Sequence, residues 1–544
     1  MQAGTHGLAD YVRGIQDSVA ANKLSHASDL AAEALRTGMR HPAFHNARAL
    51  RFQELGLFDD ALAEFNQALL LRPRDATLLT AVGMCYVRCN RAREGIALFE
   101  KALAAAPDSA VIHFRKGWAH ASAGDRDMAR KSYERAVDLK PDYAEALAAL
   151  ASLAARDGKS DIARDYANRC LALDRSEPTA IIALAIVENA AGNFGTAEAL
   201  LRQGLNDPRA VGHTKGVLLG FLGDALDGQD RVAEAFAAYT EKGLEFRRLH
   251  APRIAAAPSV TNFMASLADY MDSTPAAAWQ NGARPKAAIG APREHVFLLG
   301  FLRSGTTLLE RILGMSGDVA ILEERETLAA LSQDFMHIPT GLEKLATLDG
   351  AALDDARSSY WRGVRAFGIE PEGKVFIDKQ PLNTFNLPLI SKLFPEARVL
   401  FAVRDPRDVV FSCFRRHFEV NPTMFEFLDL SDGARFYSAV MNVGRVCRAR
   451  LPLTLHEHRY EAMIDDFEGR VRAACDFLNI AWTEEMRDFS SKAREAEIRS
   501  PSAGQVRRPL YGEGVGQWRR YATQLAPALP ILAPWVKEFG YDTD

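Results

Sequence analysis

The chain of 544 residues is long enough for three to four domains of about 150 residues each. Apolar residues make up 48% of it and charged residues 25%, a balance that excludes a disordered or collagen-like chain. Because 66 Lys and Arg residues face 70 Asp and Glu residues, the net charge is only −4, which excludes a broadly cationic surface for nucleic acid or an anionic membrane. We therefore expect any anion site to be local.

The cysteines and the N-terminus carry no targeting or metal pattern. Six cysteines are spread over the chain without a C-x-x-C pair, so we expect neither a disulfide framework nor a metal site. The N-terminal residues lack the apolar core of a signal peptide, and the chain has no run of the roughly 18 apolar residues that a membrane helix needs. These features predict a cytoplasmic protein without a membrane span.

Residues 41–208 repeat with a period of 34 residues. A turn-forming Gly or Asn recurs at this spacing, at Gly56, Asn90, Gly124, Gly158 and Gly192. A proline recurs at the same spacing, at Pro73, Pro107 and Pro141. We interpret each period as a helix pair in which Gly or Asn permits the turn and Pro ends the second helix. Aromatic residues at one 34-spaced position, Phe65, Phe99 and Tyr133, are expected to pack between the helices.

This pattern resembles the tetratricopeptide repeat. The small residues that open space in the first helix of each pair fall at Ala49, Gly83, Gly117 and Ala151. The resemblance implies a right-handed α-solenoid whose concave groove binds a peptide or a partner. Weaker traces of the period continue on both sides of residues 41–208, so we assign residues 1–250 to a tetratricopeptide solenoid.

Beyond residue 250 the period is lost, and the Pro, Ala and Gly content of residues 251–292 predicts a linker. Residues 293–544 alternate short apolar runs with helical patterns, which predicts an α/β fold with a mainly parallel sheet. The predicted strands are HVFLLG from His295, VFID from Val375, RVLFAV from Arg398 and LTLHEHRYE from Leu453.

The first of these strands runs into a glycine turn and a helix, FLRSGTTLLERILG. Free backbone N–H groups at such a helix start bind anions, which makes this turn a candidate phosphate cradle. Its candidate residues are Arg303, Ser304, Gly305, Thr306 and Thr307. The nucleotidase pattern G-x-x-x-x-G-K-[ST] requires a lysine where this chain has Thr306, so a P-loop kinase is the weaker interpretation. A plain strand-to-helix turn is the structural alternative.

The segment GFLRSGTTLLERIL resembles the 5′-phosphosulfate loop of sulfotransferases that use 3′-phosphoadenosine 5′-phosphosulfate (PAPS), close to the tyrosylprotein sulfotransferases and the bacterial tetratricopeptide sulfotransferases. The resemblance continues in RVLFAVRDPRDVVFSCFRRHF, where Arg404, Ser412 and Arg416 match the family's 3′-phosphate contacts. Ser412 and Arg416 are spaced one turn apart on the predicted helix, so both can face one anion. The resemblance implies PAPS as co-substrate, a P-loop-like parallel sheet and no metal.

The resemblance also implies the catalytic residues. Glu324 in ILEERETL falls on the family's catalytic base, with Glu323 as its rival and a solvated helix start as the alternative. Lys379 in VFIDKQPLNTFN matches the D-K-x-P-x-N signature, whose lysine stabilises the bridging oxygen in the transition state. The structural alternative for Lys379 is an ion pair with Asp378. Arg303 is expected to stabilise the same developing charge.

Two further segments carry the resemblance, and residues 325 and 326 depart from it. Tyr460 in HRYEAMIDDF is expected against the adenine, with simple packing as an equal alternative, and Ser502 falls on a serine that contacts PAPS. At Arg325 and Glu326 the family pattern has a threonine and then an arginine. This departure leaves open whether Arg325 replaces that arginine, and it weakens the inference to peptide tyrosine.

The sequence thus predicts a tetratricopeptide solenoid followed by a PAPS-dependent sulfotransferase domain that transfers a sulfuryl group to an acceptor hydroxyl. Protein tyrosine, carbohydrate and small phenols are the candidate acceptors. The solenoid groove is expected to bind the acceptor or a partner, and no nucleic acid is expected. An adaptor with an inactive sulfotransferase-like domain and a P-loop kinase are the alternative hypotheses.

Overall fold

The computed structural model describes residues 7–254, 258–279, 290–489 and 514–542. By its internal contacts the chain divides into a first unit, Met1–Asp207, and a second unit, Pro208–Asp544. This division falls ahead of residue 250, where the sequence period predicts the end of the solenoid, because the helices that follow residue 208 pack on elements of the second unit. Among the described residues, no helix has the length and apolarity needed to cross a membrane.

The first unit is a succession of short helices of similar length. In chain order, α1 to α12 span Leu8–Ala20, Leu24–Arg36, Pro42–Glu54, Phe58–Leu71, Ala76–Arg88, Ala92–Ala105, Ala110–Ser122, Arg126–Leu139, Ala144–Arg156, Ser160–Leu173, Pro178–Ala190 and Phe194–Leu205. From α3 onward, the starts of alternate helices lie 34 residues apart, as the sequence period requires. The predicted helical solenoid is confirmed.

The turn inside each helix pair uses the left-handed backbone that favours glycine and asparagine. The φ angles are 75°, 59°, 81°, 76° and 79° at the five repeated positions, Gly56, Asn90, Gly124, Gly158 and Gly192. At such angles a residue with a β-carbon is strained, and Asn is the residue that tolerates them best after Gly. The recurrence of Gly and Asn in the sequence therefore follows from a repeated backbone requirement.

Close helix packing explains the glycines in the first helix of two pairs. A β-carbon on Gly117 would lie 2.6 Å from the ring of Tyr133, and one on Gly83 would lie 2.9 Å from the ring of Phe99. Phe99 and Tyr133 are both buried, as the sequence predicts. A glycine in one helix therefore makes room for an aromatic side chain of the next, and this contact recurs with the repeat.

The second unit surrounds a sheet with helices. Its helices α13 to α27 span His213–Gly228, Val232–Ile254, Val260–Ser273, Thr306–Leu313, Ala329–Phe335, Thr340–Ala346, Gly350–Ala366, Leu387–Leu393, Pro406–Arg415, Pro422–Phe425, Leu430–Arg450, Tyr460–Asp465, Phe467–Leu478, Ala522–Leu525 and Leu529–Glu538. Short 3₁₀ turns lie at Ala276–Trp279, Pro381–Asn386, Glu426–Leu428, Glu484–Met486 and Gln517–Tyr521. The strands β1 to β5 span Glu294–Leu299, Val319–Glu323, Val375–Lys379, Arg398–Val403 and Thr454–Arg459.

In the described residues, the five strands form one parallel sheet in the order β2-β3-β1-β4-β5. Because β1 lies between β3 and β4, the loops that follow these three strands emerge side by side at the carboxyl edge of the sheet, where open α/β sheets bind ligands. The α/β fold with a parallel sheet is confirmed, including the four predicted strands. Strand β2 was not predicted, because the acidic residues after Leu322 make this segment look like the start of a helix.

Candidate active site

The loop after β1 forms the predicted anion cradle. A β-carbon on Gly300 would lie 2.4 Å from the carbonyl oxygen of Ala402, so glycine lets the ends of β1 and β4 approach each other. Gly305 caps the N-terminus of α16 (Thr306–Leu313) with a φ of 91°, and a β-carbon there would lie 2.6 Å from the ring of Tyr460. Glycine at both positions therefore brings backbone N–H groups and the positive end of α16 to one place.

A cavity of about 470 Å³ opens beside this cradle. Most of the predicted site residues line it: Arg303, Gly305, Thr306, Thr307, Glu324, Arg404, Ser412 and Tyr460. Ser304 and Lys379 are buried next to lining residues, and Arg416 is half-buried just past the end of α21 (Pro406–Arg415). The predicted PAPS contact Ser502 lies outside the described residues.

Two arginines and a serine meet at one end of the cavity. The Nε of Arg303 donates a hydrogen bond to the Oγ of Ser412 over 3.1 Å, and Arg404 donates to the carbonyl oxygen of Arg303 over 3.0 Å. The guanidinium of Arg404 also lies 4.8 Å from the centre of the Tyr460 ring. Burial, followed by the positive charge of Arg416, lowers the pKa of Arg303 to about 9. Gathering this much positive charge is unfavourable, and a bound anion would relieve it.

Two buried guanidinium nitrogens support an anion at this end. The Nε atoms of Arg404 and Arg416 are buried and have no hydrogen-bond partner among the described residues. A buried donor without a partner is costly, and a phosphate oxygen is the acceptor that guanidinium groups match best. Arg416 is not on the helix as predicted, since α21 ends at Arg415 and Arg416 continues in extended backbone with φ −78° and ψ 155°. The residues present therefore fit a phosphate-bearing ligand.

Lys379 joins the cradle to the end of β2. Its Nζ lies 2.6 Å from an oxygen of Glu324, 3.0 Å from one of Glu310 and 3.9 Å from one of Glu323. The parallel register pairs Glu323 with Lys379, so the strands themselves bring these groups together. Immediately after β2, Glu324 takes a φ of 45° and its N–H donates to the carbonyl oxygen of Lys379 over 2.8 Å. The lysine is completely buried, whereas Glu324 remains 29% exposed toward the cavity.

The carboxylates keep this buried lysine charged. Burial alone lowers the pKa of Lys379, but Glu310, Glu324 and Glu323 together outweigh it, and the net pKa is raised above its usual value. Burial raises the pKa of Glu310 to about 7, although Lys379 acts in the opposite direction. An ammonium group thus stays next to the cradle at neutral pH.

Comparisons with known proteins agree with this geometry. Residues 295–484 match the model of the sulfotransferase family, and residues 46–110 and 110–143 match models of the tetratricopeptide repeat. The chain combines tetratricopeptide repeats with a sulfotransferase domain. The predicted resemblance is confirmed.

The similar proteins cover less than half of this chain. An uncharacterized protein of Aquifex aeolicus is 27% identical over 259 residues, which are 45% of this chain and 33% of that protein. Protein-tyrosine sulfotransferase 1 of Danio rerio is 26% identical over 259 residues, which are 45% of this chain and 72% of that protein. The chain therefore spans about a third of the length of the Aquifex protein. A tetratricopeptide repeat protein from Parabacteroides merdae aligns at 14% identity and a TM-score of 0.38, over 44% of this chain and 93% of that chain.

Asp378 of the sulfotransferase domain does not pair with Lys379, its neighbour in sequence. It is completely buried and accepts hydrogen bonds from Thr327 Oγ1 and from the Tyr360 hydroxyl, both over 2.8 Å. Burial raises the pKa of Asp378 to about 6. Since alternate residues of a strand point to opposite sides, Asp378 binds the loop at Thr327 and the helix that carries Tyr360, while Lys379 faces the acidic residues.

The segment after the candidate base places Glu326, not Arg325, at the cavity. Glu326 is a lining residue, whereas the guanidinium of Arg325 lies 5.0 Å from the centre of the Phe367 ring. Glu324 lines the same cavity, while its rival Glu323 lines a separate groove and pairs with Arg311 over 2.8 Å. In this geometry Arg325 does not occupy the place that the family pattern gives to its arginine.

Sequence reasoning did not identify Glu310 in the sulfotransferase domain. It is 2% exposed, and its carboxylate lies 3.0 Å from the Nζ of Lys379. One signal was available: Glu310 follows Thr306 by four residues and precedes Leu313 by three, so it lies on the buried face of α16. A charged residue on a buried helix face needs a partner, and that partner is Lys379.

Proposed function

We propose that this chain transfers a sulfuryl group from PAPS to an acceptor hydroxyl. The observation that carries the proposal is the placement of Glu324, paired with Lys379 over 2.6 Å, in the same cavity as Arg303, Arg404 and Ser412. One side of this cavity is cationic and suits an anionic nucleotide, and the other carries a carboxylate that can accept a proton. A site for nucleotide binding alone has no need of the second feature.

The residues of the cradle and of α21 would hold the two ends of PAPS. The N–H groups of Gly305, Thr306 and Thr307 at the start of α16 suit the 5′-phosphosulfate, and Ser304, whose N–H donates to the Phe301 carbonyl oxygen over 3.3 Å, would offer its hydroxyl. Arg404, Ser412 and Arg416 suit the 3′-phosphate, and the buried Nε atoms of both arginines supply donors for it. Tyr460 beside Gly305 suits the adenine, and Ser502 is assigned to the same ligand from the resemblance.

The chemistry requires a base and a stabilised leaving group. The acceptor oxygen forms a bond to sulfur, its proton passes to the Glu324 carboxylate, and the bond between sulfur and the bridging oxygen of PAPS breaks. The electron pair of that bond stays on the departing 3′,5′-bisphosphate. The Lys379 ammonium, completely buried, and the Arg303 guanidinium stabilise the negative charge that develops there.

Protein tyrosine is the acceptor that the relatives support, since several of them are named protein-tyrosine sulfotransferases. The tetratricopeptide array would bind the acceptor protein or a partner, as such solenoids bind peptides in their concave groove. Glu326 at the cavity distinguishes this chain from the family pattern. The acceptor's sequence preference is therefore expected to differ from that of enzymes with arginine at this position.

The decisive experiment measures transfer of radiolabelled sulfate from PAPS by the full chain. Acceptors are a tyrosine peptide library, a simple phenol and an oligosaccharide, and calorimetry with adenosine 3′,5′-bisphosphate measures nucleotide binding. The Glu324→Gln and Lys379→Arg variants should lose transfer by about 10² to 10⁴-fold, the usual size of acid–base and electrostatic effects, while bisphosphate still binds.

Glu468→Gln is the matched control, because this exposed carboxylate pairs with Arg472 over 2.7 Å at the surface of the same domain. It should retain full transfer. Undiminished turnover in both site variants would overturn the catalytic assignment. Binding of bisphosphate without transfer to any acceptor would favour the adaptor hypothesis, and hydrolysis of Mg-ATP above background would favour the kinase hypothesis.

A further inference from the structure

Helices α13 (His213–Gly228) and α14 (Val232–Ile254) precede the sulfotransferase match at residues 295–484, yet they belong to the second unit. We call these two helices the hairpin. The sequence period suggested that they end the solenoid. In the structure, however, two of their charged side chains contact the end of α21 (Pro406–Arg415), the helix that carries Ser412.

Lys242 of α14 binds the C-terminal end of α21. Its Nζ donates hydrogen bonds to the carbonyl oxygens of Phe414, over 2.6 Å, and of Arg416, over 3.0 Å. Lys242 is only 1% exposed, and burial lowers its pKa to about 7. The last carbonyls of a helix lack partners within it, and a cation is favoured at that end of the helix dipole. Lys242 therefore fixes the backbone from which the Arg416 side chain extends.

The backbone of α14 is also in close contact with this region. A β-carbon on Gly243, the residue after Lys242, would lie 2.1 Å from the carbonyl oxygen of Leu428. Leu428 ends the 3₁₀ turn that precedes helix α23 (Leu430–Arg450). No side chain fits between the two segments at this point. The position of Lys242 relative to α21 is therefore set by backbone packing as well as by its own hydrogen bonds.

Asp227, near the end of α13, binds both the end of α21 and the 3₁₀ turn Gln517–Tyr521. Its carboxylate accepts from Arg415 over 3.1 Å, from Arg520 over 2.9 Å and from the Tyr521 hydroxyl over 2.7 Å. Arg415 itself lines the cavity. Gln517, in the same 3₁₀ turn as Arg520 and Tyr521, lines it too. The Asp227 carboxylate thus joins the end of α21 to the 3₁₀ turn whose Gln517 lines the cavity.

We propose that Asp227 and Lys242 are positioning residues for the 3′-phosphate end of the nucleotide site. They hold Arg415 and Arg416, three and four residues after Ser412, in place, and so orient the Arg416 side chain toward the 3′-phosphate. This inference rests on the proposed binding of PAPS. It assigns the hairpin a role in nucleotide binding, although the hairpin lies outside residues 295–484, which match the family.

The test compares two nucleotides that differ only in the 3′-phosphate. Calorimetry on the full chain gives the Kd of adenosine 3′,5′-bisphosphate and of adenosine 5′-monophosphate for wild type, Lys242→Met and Asp227→Asn. Each variant should weaken bisphosphate binding about tenfold, the loss expected for one hydrogen bond to a charged group, and leave monophosphate binding unchanged. In transfer assays the KM for PAPS should rise while kcat stays near the wild-type value.

Two further variants separate positioning from stability. Lys242→Arg keeps a cation at the helix end and should recover most of the preference for the 3′-phosphate. Lys215→Met removes a lysine of the same hairpin that pairs with Glu241 at the surface, over 2.9 Å, and should leave both Kd values unchanged. Asp227→Asn keeps the shape of the side chain, so its two Kd values test the positioning role if Lys242→Met does not fold.

Each outcome bears on one of the two proposals. If the wild-type protein does not bind the bisphosphate, the proposed function fails. If wild type binds it and the folded variants keep the wild-type ratio of the two Kd values, the positioning role is overturned. It is also overturned if both nucleotides weaken by the same factor, because a general loss of structure would act on them equally.

Discussion

The two units of this chain bury different kinds of side chains. Among the described residues of the first unit no Lys, Arg, Asp or Glu is buried, and its core is formed mainly by alanines together with branched aliphatic, cysteine and aromatic residues. The second unit buries Asp378 and Lys379 completely and Glu310 and Arg404 almost completely. Burying a charge costs several kcal/mol unless it is paired and hydrogen-bonded. The first unit is therefore stabilised by apolar packing, whereas the second unit also keeps charged side chains in its interior.

The largest effect should come from removing a buried cation. Lys379→Met leaves the buried Glu310 carboxylate, the half-buried Glu323 and the partly exposed Glu324 without the cation that pairs with them, and breaking a buried ion pair from one side typically costs about 3–5 kcal/mol. Urea unfolding at pH 8, followed by tryptophan fluorescence, measures this loss. The loss should be smaller below pH 7, since Glu310, with a pKa of about 7, becomes neutral there. A loss below about 1 kcal/mol at pH 8 would contradict the buried network.

A somewhat smaller effect is expected from the buried carboxyl of Asp378. Burial raises its pKa to about 6 from a usual 3.8, so the folded state holds the proton more tightly than the unfolded chain. The free energy of unfolding should therefore fall as the pH rises from about 4 to about 6, by up to about 3 kcal/mol from this group. Asp378→Asn should flatten that part of the stability curve. An unchanged slope in the variant would show that Asp378 titrates normally.

In the first unit the comparable test concerns volume instead of charge. Gly117→Ala places a methyl group 2.6 Å from the Tyr133 ring and should destabilise the solenoid by about 1–3 kcal/mol. Gly195→Ala is the matched control, because this helical glycine has nothing within 4 Å of the added carbon. It should be neutral or stabilising by about 0.5–1 kcal/mol. Thermal unfolding followed by circular dichroism compares them, and equal effects would refute the packing argument.

The contrast between the units also explains what the sequence predicts well. The solenoid repeats one packing arrangement several times. The residues of the turn at Gly124 and of the contact between Gly117 and Tyr133 therefore recur at a fixed spacing, which a single sequence reveals. The cradle residues are close together in sequence and form a recognisable motif. Repeated elements and local motifs are therefore the structural features that can be predicted directly from the sequence.

The remaining parts of the site depend on pairings that sequence spacing does not show. Strand β2 (Val319–Glu323) is a short strand followed by acidic residues, and only its register with β3 (Val375–Lys379) places Glu323 beside Lys379. Lys242 and Asp227 contact α21 across about 170 to 190 residues of chain. They also lie where the 34-residue period favours a continued solenoid. Tertiary contacts, not local pattern, assign these residues to the second unit.

The smallest effect should come from an exposed ion pair of the first unit. Arg130 and Asp127 pair over 2.6 Å one helical turn apart, with 35% and 79% of their side chains exposed. Arg130→Met makes the same kind of change as Lys379→Met, but water replaces the lost partner, so unfolding should change by less than about 1 kcal/mol. The change should vanish in 1 M NaCl, where screening acts over about 3 Å. Urea unfolding of both variants under the same conditions measures how much burial increases the contribution of a charge pair to the free energy of unfolding. A loss for Arg130→Met equal to that for Lys379→Met would mean that burial of charge does not distinguish the two units.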